Sequence, residues 1–177
     1  VWTTNLNVGF LKNEMLSLPE NRDPEGRNHI AGSTAQGAIV GESLNTFYLV
    51  RYVGINPETG NAEWLDKDGN VTTTYSTANR VVVGSALPDF TGGFTNRFRY
   101  KSFDLNTFFN FSYGNKVLID GLRFTENMTS AYNKSTDLLD YWTPENRDAF
   151  APALNSPTLP NFAQLSTLHL QDGSYLR

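Results

Sequence analysis

The chain has 177 residues, 39% of them apolar and 18% charged, with a net charge of −4, enough for one domain of ordinary size. No run of about 18 apolar residues occurs, so no transmembrane helix is encoded, while a membrane-spanning β-sheet, whose signal is alternation, stays open. The 14 basic residues are scattered and offer no stripe for nucleic acid, and the lack of Cys removes disulfide scaffolds, Cys-ligated zinc and thiol catalysis. In place of charge and aliphatic mass stand 19 Asn, 18 Thr and 12 Ser beside 13% aromatics. That mixture is poor in helix formers and rich in strand and turn formers, which predicts an all-β protein.

The chain opens inside an apparent strand, with Trp2, Thr4, Leu6, Val8 and Phe10 on one face and Thr3, Asn5, Asn7 and Gly9 on the other. This period of two predicts a half-buried strand over residues 2–12. Neither end carries an initiator Met, a signal peptide or a closing signal, so the text reads as a piece of a longer chain. From Ser17 to about Gly41 Pro, Asn, Gly and charge predict a long loop. Strands are expected over Thr46–Ile55, Asn61–Leu65 and Val71–Thr74, separated by the turn texts Asn56-Pro57-Glu58-Thr59-Gly60 and Asp66-Lys67-Asp68-Gly69-Asn70.

The clearest pattern runs from Thr91 to Gly114. Phe94, Phe98 and Tyr100 share a face interrupted by Asn96, and Thr95, Arg97, Arg99 and Lys101 share the other. After Lys101-Ser102, Phe103, Leu105, Thr107, Phe109, Phe111 and Tyr113 alternate with Asp104, Asn106, Phe108, Asn110 and Ser112. Strands over 91–101 and 103–114, joined by a tight turn, have the length of membrane-spanning β-strands with lipid on one side and water on the other. Residues 115–173 lose regularity. A weak helical patch is expected over Ser130–Tyr141, after which Pro144, Pro152, Pro157 and Pro160 prevent long elements. If Lys101-Ser102 is a short periplasmic turn, then 17–90 and 115–173 are long extracellular loops.

Several local texts then occur together and in order. Trp2-Thr3-Thr4-Asn5-Leu6-Asn7 with Lys12-Asn13-Glu14, Phe47-Tyr48 with Tyr52 to Gly60, Gly84 to Phe94, Trp142 to Asn146, and Asp172 to Arg177 resemble landmarks of SusC/RagA-like TonB-dependent outer-membrane transporters. The resemblance spans nearly the whole chain. It implies the C-terminal part of a 22-stranded barrel, without plug domain or TonB box, in the outer membrane of a Gram-negative, Bacteroidetes-like cell. It also implies import of oligosaccharides or peptides, a SusD-like lipoprotein on the extracellular loops, TonB acting through a missing N-terminal part, and outer-membrane lipid around the wall. No cofactor, nucleic acid or enzymatic activity is implied.

Candidate sites are few. Arg97, Arg99 and Asn110 are expected to face the interior, because a cation facing lipid at mid-bilayer costs about 2–4 kcal/mol; contact with substrate and pairing with acids on a plug are both open. Trp64, Tyr48 and Tyr75 could stack on sugar rings, or pack within the loop. Asp66, Asp68 and Asn70 have the first spacing of a calcium loop, but Val71 and Thr77 stand where Gly and an acid belong, so a turn is the better reading. His29 and His169, far apart, make no metal site or catalytic triad, and the acid pairs Glu20/Asp23 and Asp137/Asp140 read as surface charge rather than glycosidase carboxylates. The alternative to a transporter is a soluble β-sandwich carbohydrate-binding module. What covers the apolar strand faces decides between them.

Overall fold

The structure, a computed structural model, describes residues 1–19, 29–30 and 35–177. Glu20 and Asp23 lie outside the described residues. In chain order the strands are β1 (Trp2–Phe10), β2 (His29–Ile30), β3 (Gln36–Ile39), β4 (Thr46–Ile55), β5 (Ala62–Leu65), β6 (Val71–Thr72), β7 (Arg80–Ser85), β8 (Phe90–Tyr100), β9 (Phe103–Tyr113), β10 (Lys116–Leu118), β11 (Leu170–Asp172) and β12 (Tyr175–Leu176). The expectation of an all-β antiparallel protein is met.

Long alternating segments make the first sheet, in the order β1-β8-β9-β12. Lys101 and Ser102 form a two-residue turn, and pairing is unbroken from Tyr100↔Phe103 to Phe90↔Tyr113. Lys101 takes φ 54°, the left-handed region that tight hairpins require. β1 pairs β8 just as continuously, from Trp2↔Phe98 to Phe10↔Phe90. Opposed residues share a face, so the register gathers Trp2, Leu6, Val8, Phe10, Phe94, Phe98, Leu105 and Phe109 on one side.

A second sheet runs β2-β3-β4-β5-β6, with β7 also paired to β4. β4 is its axis. Residues Thr46–Val50 are buried without alternation, which means that both faces are covered. The cover comes from the segment that looked irregular. Trp64, Val50 and Ala62 pack with Leu138, Ala151 and Phe162, and Phe47 and Leu49 pack with Leu165. The stretches 35–86 and 116–170 thus bury two hydrophobic clusters between them.

Serine and threonine hydroxyls connect the two stretches where a ladder would otherwise run. Thr167 Oγ1 accepts from the Tyr52 N–H at 2.9 Å, and Thr158 Oγ1 from the Ala62 N–H at 2.8 Å. Ser166 bridges to Val50 in parallel. The hydroxyl oxygens thus stand in for main-chain acceptors along these strand edges.

The helical patch expected over Ser130–Tyr141 is reduced to a single 3-10 turn, Thr136–Leu139, and the one α-turn among the described residues, Leu122–Thr125, lies earlier. Local side-chain bonds compete with the helix. Asn127 Oδ1 accepts from the Thr129 N–H at 3.0 Å, while Lys134 Nζ donates to the carbonyls of Asn127 and Ser130.

The sheets join through a ribbon. β9 continues past Gly114 into β10, and β11 continues past Gly173 into β12. Pairing shifts from Ser112↔Tyr175 to Lys116↔Asp172, four steps on one strand against three on the other, which is a β-bulge. Gly114 sits in it at φ +91°, where an added Cβ would lie 2.3 Å from Asp89 Oδ2. Gly114→Ala is expected to cost about 1–3 kcal/mol through the left-handed backbone and this clash. A lowered thermal midpoint of the full-length protein in detergent checks it; an unchanged midpoint would mean that the bulge relaxes freely.

Candidate functional site

The first sheet offers two chemically different faces. On the polar one, Arg97 stands opposite Thr3 and Asn106, and Asn110 opposite Gly93. Arg97 Nη2 lies 2.6 Å from Asp104 Oδ2, so its partner is the neighbouring strand of its own sheet. Arg99 shares that face one rung nearer the turn, opposite Asp104. Asn110 exchanges main-chain hydrogen bonds with Arg177, at 2.8 and 2.9 Å. Arg97, Arg99 and Asn110 are thus brought onto one face, along with Asn7, whose Oδ1 accepts from the Gly93 N–H at 2.8 Å. Phe108 is the apolar exception there.

The other face is aromatic and bare. Trp2 is 73% exposed, Phe10 79% and Phe103 75%, and no second sheet covers them among the described residues. A single polar row, Thr4–Asn96–Thr107, crosses it. Asn96 Oδ1 accepts from Thr4 Oγ1 at 2.8 Å and from Trp2 Nε1 at 3.1 Å, which satisfies this oxygen without water.

The loop aromatics are placed differently. Trp64 is 0% exposed, edge-on to Tyr52 and Tyr75, and its Nε1 is buried without a partner among the described residues. The Tyr75 hydroxyl donates to the Leu165 carbonyl at 2.9 Å. Tyr48 is buried, with its ring 5.6 Å from that of His29. Trp64 and Tyr48 are buried, and Tyr75 is half-buried against Trp64. Asp66 is spent on its turn: Oδ1 accepts from the N–H groups of Asp68 at 2.9 Å and Asn70 at 2.8 Å. Those hydrogen bonds, from Asn70 above all, hold its carboxyl below the ordinary value.

Among the cavities of the loop body are two lined by described residues. One, of about 400 Å³, is lined by Glu126, Asp137, Asp140, Phe150, Leu168 and His169 among others. Asp140 is already engaged, Oδ1 by Asn146 Nδ2 at 2.8 Å and Oδ2 by the Phe150 N–H at 3.1 Å. Glu126 and His169 form a buried pair, Nε2 to Oε2 2.7 Å. Neither stands in a motif, and nothing local in the sequence could have joined residues so far apart. The other cavity, of about 560 Å³, is a slit between β10 and the β3–β4–β7 side of the second sheet, lined by Gln36, Phe47, Ala86 and Asn115 to Leu118.

No family model matches the chain. It is 30% identical over 194 aligned residues to TonB-dependent receptor P3 of Formosa agariphila, covering 99% of this chain and 19% of the receptor. To TonB-dependent receptor P26 of the same organism it is 29% identical, again over 99% of this chain and 19% of the relative. In fold it resembles the RagAB peptide transporter, with TM-score 0.76 and 26% identity over 99% of this chain and 20% of the other. The open-open state of the RagAB peptide importer gives TM-score 0.77 at 27% identity, over 99% and 19%. The chain spans about one fifth of the length of the curated relatives it matches. The resemblance carried by the sequence motifs is thereby borne out along nearly the whole chain, and these relatives are receptors and transporters, not enzymes.

Two predictions follow from the loop geometry. Removing one partner of a buried hydrogen-bonded pair leaves the other unsatisfied, so Glu126→Ala is expected to cost about 1–3 kcal/mol. Limited proteolysis of the full-length protein should then cut within residues 119–172 while β1, β8 and β9 stay protected. The second concerns Asp172, whose carboxyl is held at about 2 by hydrogen bonds from Ser174 and by Lys116 Nζ 3.1 Å away. Its folded value is depressed, so the contribution to the ribbon is complete above the ordinary 3.8 and drains as pH falls through about 2. Hydrogen exchange at the Ser174 amide, corrected for its intrinsic pH dependence, should stay flat down to pH 4 and rise only toward pH 2; a rise centred near 4 would show an ordinary carboxyl.

Proposed function

We propose that this chain forms part of the wall and two extracellular loops of a TonB-dependent transporter in a Gram-negative outer membrane, importing peptides. The observation that carries the reading is the first sheet, bare and aromatic on one face, polar on the other, with strands long enough to cross a bilayer. In a soluble sandwich the aromatic face would pack against a second sheet, and among the described residues it does not. On this reading residues 2–12, 91–101 and 103–114 belong to the wall, and 17–90 and 115–173 are surface loops. Arg97, Arg99 and Asn110 face the aqueous lumen.

Peptide is favoured over oligosaccharide on two supports. The solved relatives are described as a peptide transporter and importer. Of the rings that could have stacked on sugar, Trp64 and Tyr48 are buried, and Tyr75 is half-buried against Trp64. A SusD-like lipoprotein would rest on the loops, and TonB would act through a part of the protein outside this chain.

Deleting the full-length gene is expected to abolish uptake of a fluorescent oligopeptide mixture and spare uptake of labelled oligosaccharides, with the product in the outer-membrane fraction. Loss of oligosaccharide uptake alone would reverse the substrate assignment. Unchanged uptake of both would end the import reading.

A further inference from the structure

Where the first sheet meets the loop body, one ladder comes apart. β8 and β9 remain paired to their last rung, the Asp89 N–H to Tyr113 carbonyl bond at 2.9 Å. Beyond it the two chains separate: β10 pairs with β11, and β7 pairs with β4. The 560 Å³ slit lies at this parting.

Residues 115, 116, 117 and 118 all line the slit. A strand that presents a face shows only every second residue, so β10 meets the slit with its edge. The hydrogen-bond register agrees. Gly173 donates to the Asn115 carbonyl at 2.8 Å and Ile119 to the His169 carbonyl at 3.0 Å, which puts residues 115, 117 and 119 on the β11 side. Lys116 and Leu118 therefore turn their N–H and C=O groups into the slit, where they find no hydrogen-bond partner among the described residues. The wall opposite is mostly apolar, with Ala35, Phe47 and Ala86 beside the polar Gln36.

The side-chain charges at the rim are already neutralised within the chain. Lys116 Nζ lies 3.1 Å from Asp172, and Arg123 2.9 Å from Asp120. What remains on offer is a short row of main-chain donors and acceptors beside a mostly apolar surface. A lipid tail cannot answer the donors, and a sugar lacks the regular alternation of amide N–H and C=O. An extended peptide supplies both.

We propose that the slit is a peptide-binding site, in which an extended segment of the imported peptide adds as a strand to the edge of β10 at Lys116 and Leu118. Every second side chain of the peptide lies against Phe47 and Ala86. Recognition through the main chain is tolerant of sequence, which suits uptake of mixed peptides. The inference rests on the peptide-import reading.

The test uses the full-length transporter in detergent and calorimetric titration with a pentapeptide of alanine. Strand addition engages only the amides on one edge of the ligand. Because identical residues let the peptide offer either edge, N-methylation at residues 2 and 4 should leave binding within about twofold, whereas methylation at residues 2, 3, 4 and 5 blocks both edges and should weaken it about tenfold or more. The same peptide with a central photoleucine is expected to crosslink within residues 115–118 or at Ala86. Undiminished binding of the peptide methylated on both edges, equal loss when only one edge is methylated, no binding of the unmodified peptide, or crosslinks confined to other residues would overturn the site, even with peptide uptake by cells intact. If the gene deletion leaves peptide uptake unchanged, the import reading falls, and the site falls with it.

Discussion

The period of two in a strand is the constraint on which the rest of this molecule depends. The two-residue turn at Lys101-Ser102 locks β8 to β9 with no slack, and β1 follows β8 rung for rung. A slip of one residue would turn every aromatic side chain to the polar side. Because eleven-residue strands hold this register to their ends, the sheet can present one face to hydrocarbon and the other to water. The bulge at Gly114 is where that strictness is released. One extra residue bends the ribbon out of the sheet and lets β10 and β7 go to different partners.

Above the bulge a different physics holds the chain. The loop body has its own core around Trp64, Phe162 and Val50, drawn from stretches some 100 residues apart in sequence. Neither stretch could form that core alone, since β4 needs cover on both faces. Hydroxyl groups of Thr158 and Thr167 stand in for main-chain acceptors along the strand edges, and the buried Glu126–His169 pair closes the far side. A surface loop built this way behaves as a small folded unit. It can hold a slit open because its walls are fixed by contacts elsewhere.

The sequence shows the first sheet well because alternation is a local signal, and one face of the sheet has nothing but its own strands to answer to. Trp2 to Phe10 and Thr91 to Tyr113 can be read as strands without knowing any partner. The turns at Asn56–Gly60 and Asp66–Asn70 are legible for the same reason, since the side chain of Asp66 answers its own backbone. The loop body is hidden because its logic is non-local. Thr46–Val50 has no period once both faces are buried, and β7, β10, β11 and β12 are too short to show one. The chemistry of Trp64, Tyr48 and Tyr75 is ambiguous in text, where an aromatic ring for a core and one for a ligand look alike. The Glu126–His169 pair and the free edge of β10 exist only after folding.

The row Thr4–Asn96–Thr107 on the aromatic face shows how far the two-face rule can bend. An amide among exposed apolar rings would be costly if its carbonyl were left without a donor. Here Thr4 and Trp2 both donate to Asn96 Oδ1, and because they sit on β1 while Asn96 sits on β8, the same bonds that satisfy the amide oxygen also pin the pairing of the two strands. Arg97 on the opposite face needs no such screen. Its partner Asp104 leaves both groups exposed, a geometry that belongs in water. The two exceptions to a purely apolar or purely polar strand therefore agree: the internally satisfied oxygen lies on the aromatic face and the solvated pair on the polar face, so the hydrogen bonding of single residues supports the proposed lipid and water sides independently of the hydrophobic pattern.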